Sequence, residues 1–257
     1  MDLGLQGKTA LVTGASRGIG YAVARLLAAE GCNVHLASRS AADLEAARKK
    51  ILAESKVEVT CHPGDLGKTE IATSVAKELS GVDILVNNAG AIPQGTITGM
   101  DDRKIRESWE LKLFGYLNVT REIYGAMCQR KRGVIVNVIG NAGHRPSAGY
   151  IAGAIANAGL MAMTKALGAE SPDFGVRVVG VNPVGTATER AEVRLRERAQ
   201  KELKDPERWR ELGKNNPFGR MTTPEEIANM VVFLASDRAS YMSGQVVIVD
   251  GGSSYKK

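Results

Sequence analysis

The stretch Thr13-Gly14-Ala15-Ser16-Arg17-Gly18-Ile19-Gly20 follows the apolar run Ala10-Leu11-Val12 and leads into a helical pattern. Glycines in such a turn let the main chain bend tightly and come close to a pyrophosphate, and free N–H groups at the start of the next helix supply donors and a positive dipole. A structural bend explains an isolated glycine-rich turn almost as well. Its place between a strand and a helix is what gives this one weight.

Outward from that turn, short apolar runs alternate with longer amphipathic stretches almost to the end of the 257-residue chain. The pattern predicts strands over 8–13, 33–38, 57–61, 83–87, 133–138, 176–181 and 245–249, and helices over 19–30, 42–54, 69–79, 102–130, 152–170 and 224–235. Repeated strand-helix-strand units with near-continuous apolar strands imply an α/β fold: a single Rossmann-type, doubly wound parallel sheet with helices on both faces. No linker or repeat divides residues 1–257. Residues 188–216 depart from the alternation, being long, highly charged and broken at Asp205-Pro206. At the C-terminal edge of a parallel sheet such an excursion reads as a substrate lid, although a solvated insertion has the same composition.

Lys plus Arg number 34 against 28 Asp plus Glu, a formal net charge of +6. The basic residues are interleaved with acids and aromatics are only 5% of the chain, which argues against a nucleic-acid surface. The absence of a run of about 18 apolar residues and of a charged-then-apolar leader predicts neither a membrane span nor secretion. Cys32, Cys61 and Cys128 form no Cys-x-x-Cys pattern, so no metal site is expected and a reducing cytoplasm is the expected location.

The Gly-x-x-x-Gly-x-Gly spacing, with Asn87-Asn88-Ala89-Gly90 after the fourth strand, resembles the short-chain dehydrogenase/reductase family. Asp65-Leu66, Asn182-Pro183 with Thr188, and Val249-Asp250-Gly251-Gly252 extend the resemblance over nearly the whole chain. It implies that Gly14, Ser16, Arg17, Gly18, Ile19 and Gly20 carry the dinucleotide, that Asp65 and Leu66 meet adenine, and that Asn88, Ala89 and Gly90 line the adenosine and ribose side. By the same resemblance Pro183 belongs to the nicotinamide end, where Thr188 would hold the carboxamide. Val184 stands where the family usually has Gly directly after Pro183, with Gly185 one place later. At the end of the second strand, Ala37-Ser38-Arg39 offers no acid for a ribose 2′-hydroxyl. Arg39 and Arg17 together favour NADP(H), with NAD(H) as the alternative.

In this family a Tyr donates the proton to the new alkoxide, aided by a Lys four residues later, a Ser and an Asn. Aligned on Leu160 to Glu170, those Tyr, Lys, Ser and Asn positions hold Gly153, Asn157, Gly140 and Lys112. Tyr150, roughly 4.5 Å along a helix axis and about 60° around from position 153, is the expected relocated acid. Lys112 is expected to supply its positive field and Asn157 to bind ribose hydroxyls. A packing role for Tyr150, a snorkelling Lys112 and a core-satisfied Asn157 are the plainer alternatives. His144 is a further candidate acid or base.

The expected function is an NADP(H)-dependent oxidoreductase interconverting a carbonyl and an alcohol with a rearranged catalytic set. A catalytically silent nucleotide-binding sensor or scaffold, and a non-redox lyase or epimerase retaining the cofactor, are the alternatives. The arginines of the charged segment allow an acidic substrate or a coenzyme A thioester, while a helix with internal ion pairs explains them too. The resemblance also implies a homo-oligomer, commonly a tetramer, built on the helices over 102–130 and 152–170.

Overall fold

In a computed structural model, residues 1–213 and 216–256 are described; of the expected lid, 214 and 215 lie outside them. The strands are β1 (Thr9–Thr13), β2 (Asn33–Ser38), β3 (Val59–Pro63), β4 (Ile84–Asn87), β5 (Gly133–Val138), β6 (Val176–Pro183) and β7 (Val246–Val249). They pair in parallel throughout, in the order β3-β2-β1-β4-β5-β6-β7. The order reverses between β1 and β4, and a crevice opens there beyond the carboxyl ends of the strands.

The helices are α1 (Gly18–Ala29), α2 (Ala41–Glu54), α3 (Thr69–Glu78), α4 (Asp102–Trp109), α5 (Gly115–Arg130), α6 (Ile151–Glu170), α7 (Glu189–Glu202) and α8 (Pro224–Ala235). Alternation along the strands divides the core into two layers. Val12, Leu36, Val86, Val136 and Val179 pack with Val23 and Leu27 of α1 and Ile227 and Val231 of α8. Leu11, Leu85, Ile135 and Val178 face the other way, onto Ala72 and Ala76 of α3 and Val119, Ile123 and Met127 of α5. A buried polar chain ties that second layer together: Asn87 Nδ2 donates to Thr120 Oγ1 and to Asn137 Oδ1, each at 2.9 Å, and Asn137 Nδ2 donates to Thr164 Oγ1 at 2.9 Å.

Three differences from the sequence-based expectation bear on the site. The helix expected over 102–130 is broken by a π-helical turn at Glu110–Phe114, which places Lys112 inward. The charged segment after β6 folds into α7 and a 3-10 run at Pro206–Gly213, held by Arg196 with Glu192 and Glu207, Arg198 with Glu202, and Arg208 with Glu211. Finally, α6 and the turn after it (Ile151–Phe174) are long and apolar enough to cross a membrane by composition, with mean hydropathy 1.2. In this fold α6 packs along β6, so part of that apolar surface belongs to the core.

Candidate functional site

The turn after β1 is built around two close approaches. Gly14 has φ +67°, and a Cβ at Gly20 would run into the Gly14 carbonyl oxygen, so the first turn of α1 can sit against the loop only without a side chain there. From the β4 side, the Asn88 and Ala89 N–H groups donate to Thr13 Oγ1 at 2.9 and 3.0 Å, and Asn88 Nδ2 donates to the Thr13 carbonyl at 3.0 Å. The N-cap of α1 is Arg17, whose side chain makes no capping hydrogen bond. The helix start therefore has no side-chain cap, as an anion-binding terminus requires.

From this turn a cavity of about 520 Å³ runs across the switch point to the start of α6. Gly14, Ser16, Arg17, Gly18, Ile19 and Arg39 line it together with Leu66, Asn88, Ala89 and Gly90 and with Lys112, Gly140, Tyr150, Asn157, Pro183 and Thr188, the last of which would stand 3.3 Å from a Cβ at Gly18. Two expected residues are not in its wall. Gly20 supports the turn from behind, and Asp65 accepts the Gly67 N–H at 3.1 Å, which makes it a turn former beside the cavity and leaves Leu66 as the lining residue. His144 is exposed on the loop outside the cavity wall.

Tyr150 is not part of the helix that would have aimed it. It is the N-cap of α6, with φ −140° and ψ 42°, and the main chain on both sides is tied to Gly95: Gly95 N–H donates to the Gly149 carbonyl at 2.8 Å and Ile151 N–H to the Gly95 carbonyl at 3.3 Å. Its ring folds back over the helix, and a Cβ at Gly153 would overlap Tyr150 Cε1 and Cζ. Burial raises the phenol pKa above its ordinary 10.0, against the lowering pull of Arg194 and Arg190. The group therefore stays protonated at neutral pH, the form a proton donor needs.

Lys112 does not provide the expected field at Tyr150. Its Nζ donates to Tyr116 Oη at 3.0 Å and to the Val138 carbonyl at 2.9 Å, and Tyr116 Oη donates to the same carbonyl at 2.8 Å. The stem of Lys112 runs past Gly90, where a Cβ would stand 2.5 Å from Lys112 Cδ. Burial, reinforced by the like charge of Arg190, pushes its pKa down from 10.5 to about 7. With two acceptors engaged, the ammonium keeps one donor free for a ligand. The cations that act on Tyr150 belong instead to α7: Arg190 and Arg194 stand one helical turn apart, and Arg190 Nη1 donates to the Gly90 carbonyl at 2.6 Å.

Asn157 is buried, its Nδ2 lies 3.0 Å from where a Cβ of Gly140 would be, and its Oδ1 has no hydrogen-bond partner among the described residues. Asn141 Oδ1, beside it, and Ser38 Oγ, at the opposite end of the cavity next to Arg39, are likewise buried and unpartnered. Buried polar atoms without partners are costly in a folded protein, and their position at the two ends of an elongated cleft fits a ligand with polar groups at both ends, as a dinucleotide has.

Sequence reasoning missed Tyr116. Its signal was present as Lys112 followed four residues later by a tyrosine, the reverse of the Tyr-to-Lys order that the family pattern directs one to seek.

Residues 14–254 match the family model described as enoyl-(acyl carrier protein) reductase. The chain belongs to the short-chain dehydrogenase/reductase family. As a member of that oxidoreductase family it is 36% identical over 259 residues to oxidoreductase UcpA of Salmonella typhimurium, covering 97% of this chain and 95% of that one. It is 33% identical over 256 residues to the 3-oxoacyl-[acyl-carrier-protein] reductase FabG of Aquifex aeolicus, covering 98% and 99% of the two chains. Among solved structures, L-sorbose reductase of Gluconobacter frateurii, complexed with NADPH and L-sorbose, superposes with a TM-score of 0.93 at 30% identity over 100% of both chains.

Proposed function

We propose that this short-chain dehydrogenase/reductase is an NADP(H)-dependent oxidoreductase that interconverts a carbonyl and an alcohol with a rearranged catalytic set. The observation that carries this reading is the Tyr150 ring in the volume above Gly153, facing the same cavity as the unpartnered Asn157 Oδ1. Alignment on 160–170 puts the family's Tyr, Lys, Ser and Asn positions at Gly153, Asn157, Gly140 and Lys112, so a phenol from three residues upstream stands in for the missing one.

When bound, NADP(H) would supply the hydride chemistry. Tyr150 Oη donates the proton to the substrate oxygen in reduction and takes it back in oxidation, and Arg194 and Arg190 favour its ionised form whenever it loses that proton. Asn157 Oδ1 would accept from a ribose hydroxyl of the nucleotide, and Lys112 lines the same cavity. Arg17 and Arg39 take the 2′-phosphate, with Ser38 Oγ beside them. Relatives of known structure bind this form of the nucleotide: an actinorhodin polyketide ketoreductase is solved with NADPH and an oxoacyl reductase of Agrobacterium tumefaciens with NADP. Residues 1–257 act as one dinucleotide-binding domain, with 188–216 as its substrate lid, in the cytoplasm.

Calorimetry with NADPH and NADH, followed by a panel of carbonyl compounds monitored by NADPH oxidation, tests the proposal. Tight NADPH binding with turnover supports it; binding without turnover of any carbonyl identifies a sensor, and no binding removes the reading altogether. In the same titration Arg39→Ala is expected to weaken NADPH about tenfold or more while leaving NADH within about threefold, the size of a lost charge-assisted hydrogen bond to phosphate. Equal losses for both nucleotides would assign Arg39 to something other than the 2′-phosphate.

The chain assembles as a homotetramer through α4–α5 and α6. Phe114, in the π turn between α4 and α5, and Ile155, on α6, are 42% and 47% exposed, apolar surface that association would cover. Light scattering at micromolar concentration is expected to give four times 27.4 kDa. A monomer would rule this out.

A further inference from the structure

The arginines of the lid fall into two groups. Arg196, Arg198 and Arg208 are paired with Glu192 and Glu207, Glu202, and Glu211 within the lid itself, and Arg210 lies over the Trp209 ring at 4.5 Å. Arg190 and Arg194 line the cavity and form no ion pair with a carboxylate among the described residues. Asp43 and Glu189 are the acids of the described cavity wall, and Glu189 stands 3.8 Å from Arg17. The Arg190 pKa is lowered first by desolvation and then by the like charges of Arg17, Arg194 and Arg39. Arg190 and Arg194 are both exposed to solvent at the cavity wall, and two like charges one helical turn apart with no carboxylate to answer them favour the arrival of an anion.

The two arginine pairs lie close enough to act on one another, but they differ in what else they meet. Arg17 and Arg39 belong to the glycine-rich turn and the end of β2, where the nucleotide phosphates are expected. Arg190 and Arg194 act on Tyr150, the proposed proton donor, and Arg190 reaches the Gly90 carbonyl.

We infer that Arg190 and Arg194 form a clamp for an anionic group on the substrate, so that the carbonyl compound reduced here carries a carboxylate or a phosphate within reach of α7. The inference rests on the oxidoreductase reading and narrows it. The shared chemistry is a bidentate oxyanion; it can belong to a short oxo acid or to the phosphates of a thioester's carrier tail.

The test uses the full-length protein loaded with NADPH. Nucleotide fluorescence and turnover are followed with two matched pairs: 4-oxopentanoate against its methyl ester, and acetoacetyl coenzyme A against the acetoacetyl N-acetylcysteamine thioester. The expected result is that at least one anion of the two pairs binds about tenfold or more tightly than its neutral partner, a difference seen in KM more than in kcat. The member that shows it identifies the source of the charge. In Arg190→Met and Arg194→Met the preference should fall to threefold or less, and Arg190→Lys should recover part of it. Equal binding of anion and neutral partner in both pairs overturns the clamp. So does a wild-type preference that survives both methionine variants, or a loss of NADPH affinity in those variants with no change in substrate preference, which would place the arginines on the nucleotide phosphates. Failure of the wild-type protein to bind NADPH is read separately and removes the oxidoreductase assignment along with the clamp.

Discussion

Tyr150→Phe is expected to lower kcat by about 10²- to 10⁴-fold, the usual contribution of a positioned general acid, while NADPH affinity changes by less than about threefold. The separation of the two effects follows from where the ring sits. Phenylalanine keeps the aromatic volume over Gly153 and the main-chain bonds to Gly95, so the start of α6 is preserved and only the hydroxyl is lost. Steady-state turnover with the best carbonyl from the panel, paired with calorimetry, measures both quantities. Turnover within threefold of wild type would show that Tyr150 only packs. Because burial holds the phenol above its ordinary range, the reductive direction should not lose its acid between pH 6 and about 9.

A comparably large effect is expected at Lys112, on stability instead of rate. Its pKa of about 7 in the fold, against 10.5 outside it, means that between those two values the unfolded chain binds more protons than the native one. Stability attributable to this group is therefore fully present above about 10.5 and declines as pH falls toward and through 7. Below 7 the folded protein bears the whole cost of a buried ammonium, on the order of 5 kcal/mol for that pKa difference. Lys112→Met removes the charge and leaves Tyr116 its own bond to the Val138 carbonyl at 2.8 Å. The variant should be more stable than wild type at pH 6, by a margin that shrinks steadily up to pH 10. Urea unfolding at several pH values measures it. A difference independent of pH would mean that Lys112 does not titrate in this range.

The order of strands and helices was legible because nothing in this chain contradicts it locally. Val12, Leu36 and Val86 and their neighbours make apolar strands, the intervening helices have a clear period, and Thr13 to Gly20 place the nucleotide turn between them. Most residues expected at the cofactor also line the cavity, since that end of the site is made of main chain and short side chains whose position the turn dictates. The reacting end was less legible. Whether Tyr150 points into the cleft depends on its main-chain torsions outside the helix and on an isolated bridge to Gly95 that no spacing rule connects to it. Lys112 turns inward through a π turn, and its real partners, Tyr116 and Val138, come from the following helix and the adjoining strand. In the charged segment, composition could not separate arginines paired along the helix from the two that border the cavity. That division exists only once α7 and the 3-10 run have packed together.

The overlap between the Tyr150 ring and any side chain at position 153 has an evolutionary meaning. One volume cannot hold both phenols, so a tyrosine restored at 153 would not add a second ring to the cleft; it would evict the proposed acid. The two arrangements are thus alternative occupants of one space, and a lineage passing between them by single substitutions must cross a chain whose cleft is either crowded or without a phenol. Each replacement is harmful in the background suited to the other. Such sign epistasis would make the proposed arrangement hard to leave once it is reached.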